Sequence, residues 1–166
     1  LRELLEEEQV PKVLTTVQVI RQTAEALHAL HLNGLTHGMI SPDNIILTSD
    51  AQHRLLARVK DIDFGGVVEK AITSNKFLTE SALVPLRYFA PEQCSGKGAS
   101  TQTDIYSLGI VLWEIFSRKI PFEDQPHYTI PLLVGKGERP PINAIPKDFP
   151  TYLQKLVRNF PEIFIL

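Results

Sequence analysis

Asn44 and Asp63 stand at the outer ends of two short apolar runs, Asn44–Leu47 and Leu55–Val59. The polar stretch Thr48–Arg54 separates the runs, so together they read as a β-hairpin with a long loop. Such a hairpin would bring the Asn44 carbonyl and the Asp63 carboxylate together at its open end. Two oxygens placed there suit a hard cation such as Mg2+. A clamp that only closes the hairpin would use the same two residues. Just upstream lies His37-Gly38-Met39-Ile40-Ser41-Pro42-Asp43-Asn44. Its polar side chains invite a search for a proton acceptor. Met39 cannot be one, because a thioether is uncharged and barely basic. Asp43 carries a carboxylate, but a residue beside Asn44 should point elsewhere, and proton transfer needs hydrogen-bond reach.

The elements that would position these residues are legible from periodicity. Leu1–Gln9 reads as a short acidic helix cut off by Pro11. Val13, Val17, Ile20, Ala24, Leu27 and Leu30 recur at helical spacing and mark one face of a long helix. Asn33-Gly34 ends it. Gly65-Gly66 opens a serine- and threonine-bearing loop that runs to Pro85. Thr103-Asp104 is a helix-start signal, and Ile105–Phe116 is apolar on nearly every side, the mark of a helix buried all round. Pro121 is expected to terminate it. Weaker helical patterns cover Tyr128–Val134 and Tyr152–Asn159.

Composition bounds the possibilities. The chain has 166 residues, 43% hydrophobic and 22% charged, which is the make-up of one globular domain. A net charge of −2 gives no reason to expect nucleic acid or an anionic membrane as partner. Cys94 is the sole cysteine, which excludes an internal disulfide and fits a cytoplasmic, reducing setting. No apolar stretch approaches the length of a membrane span. The first residue is leucine, consistent with a chain that begins inside a longer protein.

Four motifs occur in order: the His37 octapeptide, Asp63-Phe64-Gly65, Ala90-Pro91-Glu92, and Asp104-Ile105-Tyr106-Ser107-Leu108-Gly109. The first three resemble the H-R-D-L-x-x-x-N, D-F-G and A-P-E signatures of protein kinases. A single tripeptide is weak, but three in order, each in its expected structural context, are specific. The resemblance covers roughly Leu1 to Asn159. Within the family, Pro85-Leu86-Arg87-Tyr88-Phe89, Trp113-Glu114-Ile115-Phe116-Ser117 and Gly137-Glu138-Arg139-Pro140-Pro141 are similar to the tyrosine-kinase-like branch.

The resemblance implies an α+β, kinase-like fold represented by its mainly helical C-terminal lobe with a small β-hairpin. Residues 1–159 would form that lobe and residues 160–166 a divergent tail. It implies that Asn44 and Asp63 hold Mg2+ for ATP, and that Ile46 floors the adenine site. His37 would pack under Phe64. Glu92 would pair with an arginine that the altered tail does not supply. Asp104 would cap its helix and fix the His37 loop. Several departures matter. Met39 stands where the family has its catalytic aspartate, which accepts the substrate hydroxyl's proton. Gly38 replaces an arginine that grips a phosphorylated loop, which counts against Thr73, Ser74, Thr79 and Ser81 as regulatory sites. Ser41 replaces a basic residue that meets the transferred phosphate. No G-x-G-x-x-G or V-A-I-K motif precedes the helical lobe, so the N-terminal lobe is expected to be absent from this sequence.

The expected function is therefore a catalytically impaired kinase-like segment that binds or regulates other proteins, with weak Mg2+–ATP contacts. Met39 then acts by packing, as methionine commonly does in irregular gaps. Two alternatives stand beside it: an active kinase phosphorylating Ser, Thr or Tyr, and a truncated product without function.

Overall fold

The computed structural model describes residues 1–6, 13–62 and 83–146, with residues 151 and 155 singly. Asp63, Phe64, the Gly65-Gly66 loop with Thr73, Ser74, Thr79 and Ser81, most of the Tyr152–Asn159 helix and the tail 160–166 lie outside the described residues.

The described elements run α1 (Arg2–Glu6), α2 (Val13–Leu32), β1 (Ile45–Ser49), β2 (Leu55–Val59), α3 (Pro91–Cys94), α4 (Thr101–Ser117) and α5 (Ile130–Gly135). Short 3-10 turns at Pro42–Asn44 and Val84–Tyr88 lead into β1 and toward α3. The strands pair antiparallel, Ile45 opposite Val59 and Ser49 opposite Leu55. Asp50 builds the connection. Its Oδ1 accepts the Gln52 and Arg54 amides at 2.9 and 2.8 Å, a side-chain turn typical of aspartate. Gln22 of α2 clamps the outer strand: its Oε1 accepts the Ala57 amide at 2.6 Å and its Nε2 donates to Leu55 O at 3.1 Å.

α2 buries a face slightly rotated from the one its apolar residues suggest. Thr16, Val19, Thr23 and Leu27 are buried, whereas Val17 is exposed. The buried threonine is satisfied locally, Thr23 Oγ1 donating to Val19 O at 2.8 Å, so its methyl can face the core. Gly34 at φ +70° ends the helix, and the Leu35 amide reaches back to Leu30 O at 3.0 Å. That is the left-handed closure the Asn33-Gly34 pair encodes.

α4 is the central post, buried at nearly every position from Thr103 to Ser117. Its start differs from expectation. Ser100, not Thr103 or Asp104, is the cap: Ser100 Oγ accepts the Thr103 amide at 3.2 Å, and Thr103 Oγ1 accepts the Ser100 amide at 2.9 Å. Asp104 lies a turn inside the helix. The end differs too. Arg118 takes a left-handed conformation (φ +57°) and stops the helix three residues before Pro121.

Candidate functional site

Asp104 organises the site. Its carboxylate is 1% exposed and accepts three hydrogen bonds from the end of α2 and the loop after it. Oδ2 takes the His37 amide at 2.8 Å and lies 2.8 Å from His31 Nε2, while Oδ1 takes the Gly38 amide at 2.8 Å. The loop's backbone donors, which strand or helix would otherwise satisfy, are thus bound by one side chain on the buried post. Gly38 sits at φ +78°, a conformation glycine adopts without steric cost. Its carbonyl accepts from Gln93 Nε2 at 3.0 Å, which ties α3 to the same loop.

His37 is fully buried. Its Nε2 donates to Lys60 O at 2.9 Å, which leaves Nδ1 to accept the Met39 amide at 3.3 Å. Both ring nitrogens are therefore committed to backbone, and the neutral imidazole is the form that satisfies them. Burial pushes the ring's pKa down, with nearby Asp104 opposing. The sign of the linkage follows. The unfolded state binds a proton near pH 6.5 and the folded state resists it, so stability is full above about 6.5 and falls as pH drops below it. Urea midpoints between pH 7.5 and 5 should show this slope, at most about 1.4 kcal/mol per pH unit. It should flatten in His37→Gln.

Asn44 is buried at the hairpin's open end, its carbonyl accepting the Lys60 amide at 3.0 Å. Its side-chain nitrogen donates to Met39 O at 2.8 Å, which leaves Oδ1 as the atom to meet a cation. Met39 is half-buried and, among the described residues, is not part of the main core cluster. Ser41 is buried at the start of the 3-10 turn. Asp43 turns away from this loop: Oδ1 and Oδ2 accept Arg2 Nε and Nη2 at 3.3 and 3.1 Å. Ile46 is 41% exposed and lines a surface cavity of about 570 Å³ together with Leu1, Leu4 and Leu55. Glu92 begins α3, and no described residue forms an ion pair with its carboxylate.

Several contributors went unread in the sequence. His31 and Gln93 hold the loop, as described. Arg2 joins a buried network. Besides Asp43, it donates to Tyr88 OH at 2.8 Å and to Glu114 Oε1, and Tyr88 OH donates to Glu114 Oε2 at 2.5 Å. Burial raises the Glu114 pKa, offset in part by Arg2. The charged tail of Trp113-Glu114 in an otherwise apolar helix was the one available signal.

Comparison with known proteins decides the family. The protein kinase domain model matches residues 1–157. The chain belongs to the protein kinase family. A probable LIM domain-containing serine/threonine-protein kinase of Dictyostelium discoideum is 35% identical over 159 residues, 95% of this chain and 23% of that relative. A probable serine/threonine-protein kinase of Clostridium acetobutylicum is 32% identical over 158 residues, 95% of this chain and 23% of the relative. The serine/threonine-protein kinase PknA of Mycobacterium tuberculosis is 34% identical over 143 residues, 85% of this chain and 30% of the relative. The chain thus spans less than a third of the length of these kinases. In this kinase domain the long helix, the hairpin and α4 are the scaffold, and the His37–Asn44 segment is the loop they hold. Kinases normally use Mg2+ and ATP. Asn44 Oδ1 is an oxygen of the kind that Mg2+ takes, and Asp63 lies outside the described residues. Among the described residues no group of three or more His, Cys, Asp or Glu side chains could hold a metal, and no helix is long and apolar enough to cross a membrane.

Proposed function

We propose that this chain is the helical lobe of a kinase-like domain whose phosphoryl-transfer chemistry is impaired, and that it serves as a cytoplasmic module that binds or regulates other proteins. The observation that carries this reading is the absence of a base in the loop. Met39 occupies the position where the family has its aspartate, and the neighbouring carboxylate, Asp43, is bound to Arg2. His37 has both nitrogens committed to backbone and cannot substitute. Sequence motifs around Pro85–Phe89 favour the tyrosine-kinase-like branch. A net charge of −2 gives nucleic acid or anionic membrane no hold.

Magnesium, when bound, neutralises charge on the transferring phosphoryl group. Asn44 and Asp63 are the residues that would hold it. The chain's own contribution is to fix Asn44, through the 3-10 turn and the Met39 carbonyl, and to offer Ile46 as an apolar floor. A floor without a roof buries little of a nucleotide, and affinity for small molecules depends on that burial. Calorimetry on the 166-residue chain should show Mg2+–ATP binding weaker than about 1 mM, less than about 4 kcal/mol. Micromolar binding, abolished by Asp63→Ala, would contradict it.

The second reading, an active kinase, is favoured by the retained Asn44 and Asp63 and by the relatives, whose names read serine/threonine-protein kinase. It requires a proton acceptor from elsewhere. Catalytic turnover that survives with Met39 in place would establish it.

A further inference from the structure

Arg87 is 8% exposed, yet no described carboxylate pairs with it. Its Nη1 donates to Pro121 O at 2.5 Å. A buried guanidinium is ordinarily paired, because its desolvation is costly without an opposite charge. Arg87 faces a cavity of about 560 Å³ between the Val84–Tyr88 turn, α1 and the segment after α4. Lys119 lines the same wall, exposed and without an ion pair among the described residues. On the opposite wall Asp43 and Glu114 are committed to Arg2. The remaining acids, Glu6 and Glu123, are exposed.

We propose that this cavity takes a phosphorylated side chain of a protein partner, the phosphoryl group serving as counter-ion to Arg87 and Lys119. A phosphoryl dianion offers three strong acceptor oxygens to an arginine fork, and concentrates at one point the charge that several carboxylates would spread. The exposed carboxylates Glu6 and Glu123, not committed to Arg2, would disfavour a long polyanion such as nucleic acid more than a single phosphoryl group. The proposal rests on the protein-binding reading only in taking the occupant to be a protein. Binding and phosphoryl transfer are measured separately, so either can fail alone.

The test is NMR titration of the full chain with a capped phosphoserine, N-acetyl-O-phosphoserine amide. Its unphosphorylated twin and inorganic phosphate serve as comparisons, with the Arg87 Nε–H signal followed. The capped phosphoserine should shift that signal and bind at least tenfold more tightly than either comparison. Lys119→Glu, an exposed substitution, should weaken it at least tenfold, and Arg87→Lys should retain more binding than Arg87→Gln. An unmoved Arg87 signal, or affinity unchanged in Lys119→Glu, would overturn the proposal. So would inorganic phosphate binding as tightly, which would mean an adventitious ion only. Stronger binding in Glu69→Gln or Glu80→Gln would also overturn it, by showing that the chain's own carboxylate is the counter-ion.

Discussion

Asp104→Ala should remove on the order of 3–5 kcal/mol of stability, the cost of deleting one partner from a buried charged cluster. The substitution leaves the His37 and Gly38 amides without an acceptor inside the protein and strips His31 of its partner. Each stranded donor costs about 1–3 kcal/mol. A domain's whole stability is about 5–15 kcal/mol, so this loss is a large fraction of it. Asp104→Asn keeps one acceptor oxygen and should cost less, though its amide would then face a backbone donor. Urea denaturation followed by the fluorescence of the single tryptophan, Trp113, measures both. A loss below about 1 kcal/mol for Asp104→Ala would mean that the loop is held by packing and that these contacts are incidental.

The scaffold was legible wherever one residue type has one physical use. Gly34 ends α2 because the chain turns left-handed there, and the apolar run from Ile105 to Phe116 is buried because no face of it suits water. The hairpin followed from two apolar runs and a polar spacer, with strand ends within about two residues of expectation. Boundaries failed where side chains compete to cap. Ser100 capped α4 ahead of Thr103, and Arg118 ended it before Pro121 could. On α2 the expected Ile20, Ala24, Leu27 and Leu30 pack on the core, but Thr23 was missed because threonine counts as polar in a pattern, yet buries well once its hydroxyl bonds its own helix.

The site was legible in part. Asn44 and the loop from His37 could be placed from the motif order alone. Of the residues that hold them, Asp104 was expected at the His37 loop from the family resemblance alone, and the others were not expected at all. Asp104 is sixty-seven residues from His37 in the chain, Gln93 is fifty-five from Gly38, and Arg2 is one hundred and twelve from Glu114. Pairings at such separations leave no periodic trace in one sequence. Among the residues not expected, Glu114 came nearest, as a second buried carboxylate on a mostly apolar helix.

The second large effect concerns Met39. A missing general base typically costs about 10²–10⁴ in rate. Lost substrate positioning costs more, because well-oriented reactants contribute about 7–11 kcal/mol. The 166 residues contain no glycine-rich loop to position a nucleotide's phosphates. Met39→Asp in this chain alone should therefore yield no measurable phosphoryl transfer. With a competent N-terminal lobe fused ahead of Leu1, the same substitution should raise transfer by about 10²–10⁴.

The most direct test of impaired catalysis is radiolabelled phosphoryl transfer from ATP by that two-lobe form, with and without Met39→Asp. The expected result is background transfer with Met39 in place and a rise of about 10²–10⁴ on Met39→Asp, lost again on adding Asp63→Ala. Transfer at an ordinary kinase rate, about 1–100 s⁻¹, with Met39 still in place and abolished by Asp63→Ala, would contradict it.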